Sequence, residues 1–267
     1  MLFWLCMTAW GQVNAEALAE KVVDEGVGVD VRLGGAVQSG NVGLLDVRGG
    51  VSGQYRRDFP ADVRGPHVLR ERVIVALRAT YLAVDGRPFL DNRLVHLRYT
   101  RMASAVVGVD LFAQYQNNLL VLLDARWTAG ASFGIQAVSA QRQQLRLGVG
   151  PMVEHEIRNV DPEGPDAKRV TNLRGVGFVD WRWAWIPDRL MLLQTAYVEP
   201  RVDGPADVLL LSYSELRAPV SAGGSLGITL NVRHDSRPPV GVEQTDVTLG
   251  WRVQATFAKG SDPHEPH

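Results

Sequence analysis

The chain contains a single cysteine, Cys6, in 267 residues, which excludes a disulfide framework and a cysteine-cluster zinc site. Neither charge sign is in surplus. The 28 Lys+Arg stand against 29 Asp+Glu, and a pI near 6.6 gives no electrostatic reason to expect nucleic acid as a partner. No apolar run approaches the roughly 18–20 residues a membrane-spanning helix needs. No G-x-G-x-x-G follows a strand and opens a helix, and there is no Walker loop. Helical i, i+3, i+4 stripes are nearly absent beyond the amino-terminal segment. These absences alone would describe an ordinary soluble protein, but the distribution of apolar residues argues otherwise.

Met1 to Trp10 is a short apolar run followed by small and polar residues up to Ala19. Val13-Asn14-Ala15 offers a signal-peptidase site with small residues at −3 and −1, so residues 1–19 read as a secretory signal peptide. The basic residues that normally open such a signal are missing, which points to a start upstream of Met1. Residues 20–257 then form one domain, and 258–267 a polar tail.

From Val27 to Phe257 the dominant period is two. Leu145, Leu147, Val149, Val153 and Ile157 alternate with Arg146, Gly148, Gly150, Glu154 and Glu156. Val107–Tyr115, Leu226–Val232 and Val247–Phe257 alternate in the same way. A pleat sends successive side chains to opposite faces, so this is a strand pattern. Twelve such segments fall near 27–37, 42–57, 68–84, 90–103, 106–117, 120–135, 143–158, 171–186, 189–200, 206–220, 223–236 and 243–257. Soluble strands average about 5–6 residues, whereas a tilted membrane strand needs about 9–11.

The polar face carries both charge signs: Arg32, Arg48, Arg72, Arg78, Arg98, Arg126, Arg146, Arg174, Arg182, Arg217, Arg233 and Arg252 against Asp30, Asp46, Asp110, Asp124, Glu154, Glu156, Asp180, Glu215 and Asp235. In a soluble sandwich that face meets water; in an outer-membrane barrel it lines the lumen and the apolar face meets lipid. Strand length and the signal peptide favour an all-β, antiparallel up-and-down transmembrane barrel of about twelve strands in the outer membrane of a Gram-negative cell. An even strand number suits a barrel whose two chain ends both face the periplasm. Tight connections at Ala103-Ser104, Pro187-Asp188 and Ala222-Gly223-Gly224 suit that side. Longer ones at Asn159–Val170, Arg201–Pro205 and Ser236–Val242 suit the outside, with Phe59–His67 and Ser39-Gly40-Asn41 as exceptions. Trp181, Trp183 and Trp185 share one face, and Tyr99, Trp127, Trp251 and Phe257 take the outward phase, as an aromatic girdle at the membrane interface requires.

Particular residues also look familiar. Gln38-Ser39-Gly40-Asn41 follows the first strand, and Leu97-Arg98-Tyr99-Thr100-Arg101 precedes Phe112-Ala113-Gln114-Tyr115-Gln116. Asn172-Leu173-Arg174, Glu199-Pro200-Arg201 and Arg233-His234-Asp235-Ser236-Arg237-Pro238-Pro239, leading to Glu243-Gln244-Thr245-Asp246, complete the set. In this order and spacing the chain resembles the YdiY-like family of bacterial outer-membrane proteins, a domain-of-unknown-function family often described as salt-induced, over about residues 26–257. The resemblance implies an outer-membrane barrel with no established activity. The tail after Phe257 departs from the usual aromatic terminus that the barrel-assembly machinery reads.

Candidates for chemistry are few. His264 and His267 lie in a Pro-rich tail, and His155 points away from Glu154 and Glu156, so no metal site is expected. No cofactor is expected either. A count of twelve inward arginines to nine inward carboxylates would bias an open pore toward anions; a salt-bridged filling would instead close the lumen. A lipid hydrolase is the alternative from another class. Ser212 and His234 take the outward phase, and a turn centred on Gly223 would set them opposite each other, with Thr245 as a weak third member. A secreted soluble β-sandwich that binds a ligand is the remaining alternative. The expected partners are outer-membrane lipids and the barrel-assembly machinery, and the expected protein is not an enzyme.

Overall fold

The computed structural model describes residues 26–38, 44–59, 69–140, 142–187, 189–221 and 224–255. The signal segment, the carboxy-terminal tail and Phe257 therefore lie outside the described residues, as do the side chains of Asp30, Arg32, Asp46, Arg48 and Arg252. Twelve strands occupy the described residues: β1 (Gly26–Gln38), β2 (Leu44–Asp58), β3 (Leu69–Val84), β4 (Arg87–Met102), β5 (Val107–Asn118), β6 (Leu123–Ala140), β7 (Gln143–Arg158), β8 (Arg169–Ile186), β9 (Leu190–Arg201), β10 (Gly204–Ser221), β11 (Gly224–Asp235) and β12 (Thr245–Ala255). Each expected segment has its strand. They form one sheet in sequence order, every strand antiparallel to its neighbours in the chain. The hydrogen-bonded ladders of the described residues run from β1 to β12 and include no pairing between those two.

The sheet curls until its polar face looks at itself. The Arg98 guanidinium on β4 lies 5.5 Å from the Phe178 ring centre on β8 and 5.7 Å from that of Tyr197 on β9, four and five strands away. Arg146 on β7 reaches Asp110 on β5, and Arg174 on β8 reaches Asp207 on β10. The fold is an up-and-down β-barrel of twelve antiparallel strands, with the usual burial inverted. Asp110 and Glu154 are 0% exposed, while Val149 is 65% and Trp251 81% exposed.

Turn chemistry accounts for several departures from the sequence reading. Asp85 (φ 50°) and Gly86 (φ 76°) form a two-residue hairpin turn with both centres in the left-handed region, so β4 begins at Arg87 instead of residue 90. A 3-10 turn at Leu119–Val121, capped by the Asn118 side chain, delays β6 to Leu123. The longer outer loop expected at Arg201–Pro205 is in fact the tight turn Val202-Asp203, because Gly204 already pairs with Arg201.

Candidate functional site

The interior of the barrel is where the polar residues converge. Asp110 on β5 accepts a two-pronged bond from Arg146 (Nη1 to Oδ1 3.1 Å, Nη2 to Oδ2 2.5 Å) and the Thr100 hydroxyl at 2.6 Å. Nearer the end opposite the start of β1, Glu154 accepts from Arg174 Nε at 2.9 Å and Asn172 Nδ2 at 3.0 Å. Its neighbour Glu156, two residues on and so on the same face, binds Arg126 and Arg158. Arg174 continues to Asp207 at 3.0 Å, and Arg233 bridges Asp235 at 3.2 Å and Asp246 at 3.4 Å. Toward the other end Glu215 accepts from Tyr213 Oη at 2.5 Å and Arg217 Nε at 2.7 Å. Buried ions in low dielectric need this degree of pairing.

Between the charges lies an apolar layer of Met152, Val176, Phe178, Tyr197 and Leu211, with Phe112 against it. Wall glycines make room for its rings. A Cβ at Gly148 would stand 2.2 Å from Phe178, and one at Gly130 would stand 2.5 Å from Phe112. The cavity beside this layer, lined in part by His96, Arg98, Tyr197 and Glu199, measures about 20 Å³, room for about one water. A second cavity of about 50 Å³ lies between Arg56, Arg72, Met102, Asp180 and Arg182 at the end where β1 begins and β12 ends.

Arg72, Arg98, Asp110, Arg126, Arg146, Glu154, Glu156, Arg174, Glu215, Arg233 and Asp235 are all buried inside, and Arg78, Asp180, Arg182 and Arg217 are half-buried on the same phase. Asp124 is a correction. It is exposed because the β6–β7 register shifts between Leu123 and Ala125, and this bulge turns the residue between them out of phase. Three interior carboxylates were missed, Asp58, Glu199 and Asp207. Glu199 shares the two-residue phase of Thr195 and Tyr197, so the signal was present. The buried interior charges among the described residues are six arginines (72, 98, 126, 146, 174, 233) and eight carboxylates (58, 110, 154, 156, 199, 207, 215, 235). The expected cationic excess is absent from this fully buried set; the half-buried arginines that would restore it stand outside it.

The outer face carries the expected aromatics. Trp181, Trp183 and Trp185 stack at 5.5 and 5.6 Å near the turn after β8, and Trp251 and Tyr99 also face outward. At the opposite end Trp127 contacts Tyr115 and His155. From His155 to Leu145, which pairs with Trp181, the ten-residue step spans about 25 Å at a usual barrel tilt, the height of an apolar membrane band.

The serine–histidine arrangement does not form. Ser212 stands opposite Val232, and His234 opposite Leu210, a register two residues from the one expected. The His234 ring bonds the Thr245 hydroxyl at 2.8 Å, and Ser212 accepts from Gln194 at 3.0 Å. No cluster of three or more potential metal ligands occurs among the described residues.

At the end opposite the start of β1 the β7–β8 loop meets the β11–β12 loop, where the Val240 amide donates to Asp166 at 2.7 Å. In the short β9–β10 turn, hydrogen bonding from Arg201 holds the Asp203 carboxyl below the usual carboxylate range.

A family model described as "Protein of unknown function, DUF481" matches residues 67–257, from the start of β3 through the last strand. No curated protein matches the chain. Among solved structures, a bacterial polysaccharide outer membrane secretin aligns over 86% of this chain and 81% of its own, with 13% identity and a TM-score of 0.45.

Proposed function

Starting from a chain that belongs to the DUF481 family, the YdiY-like family of the sequence resemblance, we propose a non-enzymatic outer-membrane barrel whose interior is closed by its own side chains and which serves as a structural element of the envelope. One observation carries the reading: the apolar residues are outside and the ion pairs inside, with Arg98 set among three rings in the middle of the lumen. Water outside such a surface would leave a continuous apolar belt exposed, far beyond the patches soluble proteins carry. A bilayer removes that cost. Among the described residues, the two cavities beside the filled layer, of about 20 and 50 Å³, are too small for a hydrated ion path.

The non-enzymatic part is supported by the engagement of Ser212 with Gln194 and of His234 with Thr245, which leaves neither aimed at the other. Purified protein is expected to turn over neither phospholipid nor lipopolysaccharide.

Two measurements test the barrel and its closure. Membrane fractionation should place the chain in the outer membrane, with a gel mobility that changes on boiling; recovery as a soluble periplasmic protein without detergent would overturn the barrel. In a planar bilayer the native chain should be silent. Discrete conductance steps would make it a pore, and their reversal potential would then report which charges line the path.

A further inference from the structure

The outer face is apolar along its middle, and among the described residues its charged side chains stand toward strand ends. At the end that carries the chain termini, three of them form a row across neighbouring strands. Arg57 on β2 is the Cα partner of Glu71 on β3, and Glu71 is the partner of Arg101 on β4. All three take the outward phase. Direct antiparallel partners hold their Cβ atoms about 4.5–5.5 Å apart, so the carboxylate sits between two guanidinium-bearing arms. Arg101 Nη1 lies 3.3 Å from Glu71 Oε2, and the Tyr99 hydroxyl donates to Glu71 Oε1 at 2.6 Å. Tyr55 and Tyr99, outward on the same strands, mark this height as the interfacial layer.

We propose that Arg57, Glu71 and Arg101 form a site for a phospholipid head group that carries both a phosphate and a primary ammonium, as phosphatidylethanolamine does. This rests on the barrel reading above, which puts the row at the level of the inner-leaflet head groups. Charge on a lipid-facing strand is costly at the midplane and nearly free at the interface, so the row fits this depth and not the apolar middle. The two arginines present planar donors to phosphate oxygens, and their long apolar stems let the charged ends reach the head-group layer. Glu71 lies within the row and supplies an acceptor for the ammonium. That carboxylate is what distinguishes the site from a simple anion patch: it favours a zwitterionic head over phosphatidylglycerol, whose phosphate has no cation to offer.

The test is lipid retention by the full chain. Protein folded in detergent micelles is given equal, limiting amounts of phosphatidylethanolamine and phosphatidylglycerol, and the lipid that stays bound is measured by native mass spectrometry. Native chain should keep phosphatidylethanolamine preferentially. The double variant Arg57→Gln/Arg101→Gln should lose about tenfold in retention, the order expected for removing a charged contact. Glu71→Gln should instead shift the preference toward phosphatidylglycerol. Each variant is first checked for the boiling-dependent mobility of the folded barrel, and the single Arg57→Gln replaces any variant that lacks it. A heat-modifiable native barrel that keeps both lipids equally, or a folded double variant that keeps phosphatidylethanolamine as the native chain does, would overturn the site alone. A chain soluble without detergent would overturn the barrel and the site with it.

Discussion

Asp110 shows how the interior is held at the scale of one residue. Its carboxylate is fully buried and meets Arg146 through two bonds and Thr100 through a third. Removing one partner of such a pair leaves an unpaired charge in low dielectric, which costs about 3–5 kcal/mol. Asp110→Ala is therefore expected to lower unfolding stability by about that amount, measured by urea titration of the folded barrel in lipid. The double variant Asp110→Ala/Arg146→Met should recover most of the loss, since it removes both charges. Arg146→Glu should be the most damaging of the three, because it sets two carboxylates face to face. A double variant as unstable as the single one would mean that the pair acts through packing and not through charge.

At the scale of strands, Gly148 and Phe178 couple the wall to its filling. A methyl group at residue 148 would enter the Phe178 ring, which Arg98 and Arg146 approach at 5.5 and 5.3 Å from its centre. Gly148→Ala should thus destabilise the barrel by about 1–3 kcal/mol, the usual cost of overpacking, seen as a lower temperature for the heat-induced mobility shift. Gly148→Ala/Phe178→Leu should relieve it.

How much of this was legible follows from the same elements. The two-residue period in β7 is unbroken, and its inward residues Arg146, Glu154 and Glu156 are all buried as the pattern requires. In β10, Leu209-Leu210-Leu211 gives no phase of its own, and it is Asp207, Glu215 and Arg217 that reveal that the odd-numbered residues point inward. Asp124 escaped because a bulge is a register event between two strands and leaves no period in one of them. The Ser212 error has the same origin: one hairpin's register shifts with the centre of its turn, which composition does not fix. The Asp85-Gly86 turn, by contrast, was written in the sequence as the dipeptide that this hairpin geometry prefers. The apolar layer around Phe178 was hidden, because inward apolar residues break the alternation that identified the strands.

For the molecule as a whole, the proposed outer-membrane barrel predicts an orientation from strand count and loop position. The β7–β8 and β11–β12 connections share the end opposite the termini, and Asp166 ties them together there. A protease site inserted at Glu163-Gly164 should be cut in intact cells, while one inserted at Ser104-Ala105 should be cut only after the outer membrane is permeabilised. The reverse pattern would invert the barrel and move the Arg57–Glu71–Arg101 row to the outer leaflet.

Among the described residues the strands pair in chain order, and that gives the wall a unit of growth. Adding or losing one strand would send the chain's end to the opposite end of the barrel, whereas adding or losing a hairpin leaves both ends where they were. The family match begins at residue 67, in the connection between β2 and β3, so β1 and β2 stand beyond it as one whole hairpin. The unit of change that this connectivity permits is therefore the hairpin, which widens or narrows the wall two strands at a time and leaves both of its ends in place.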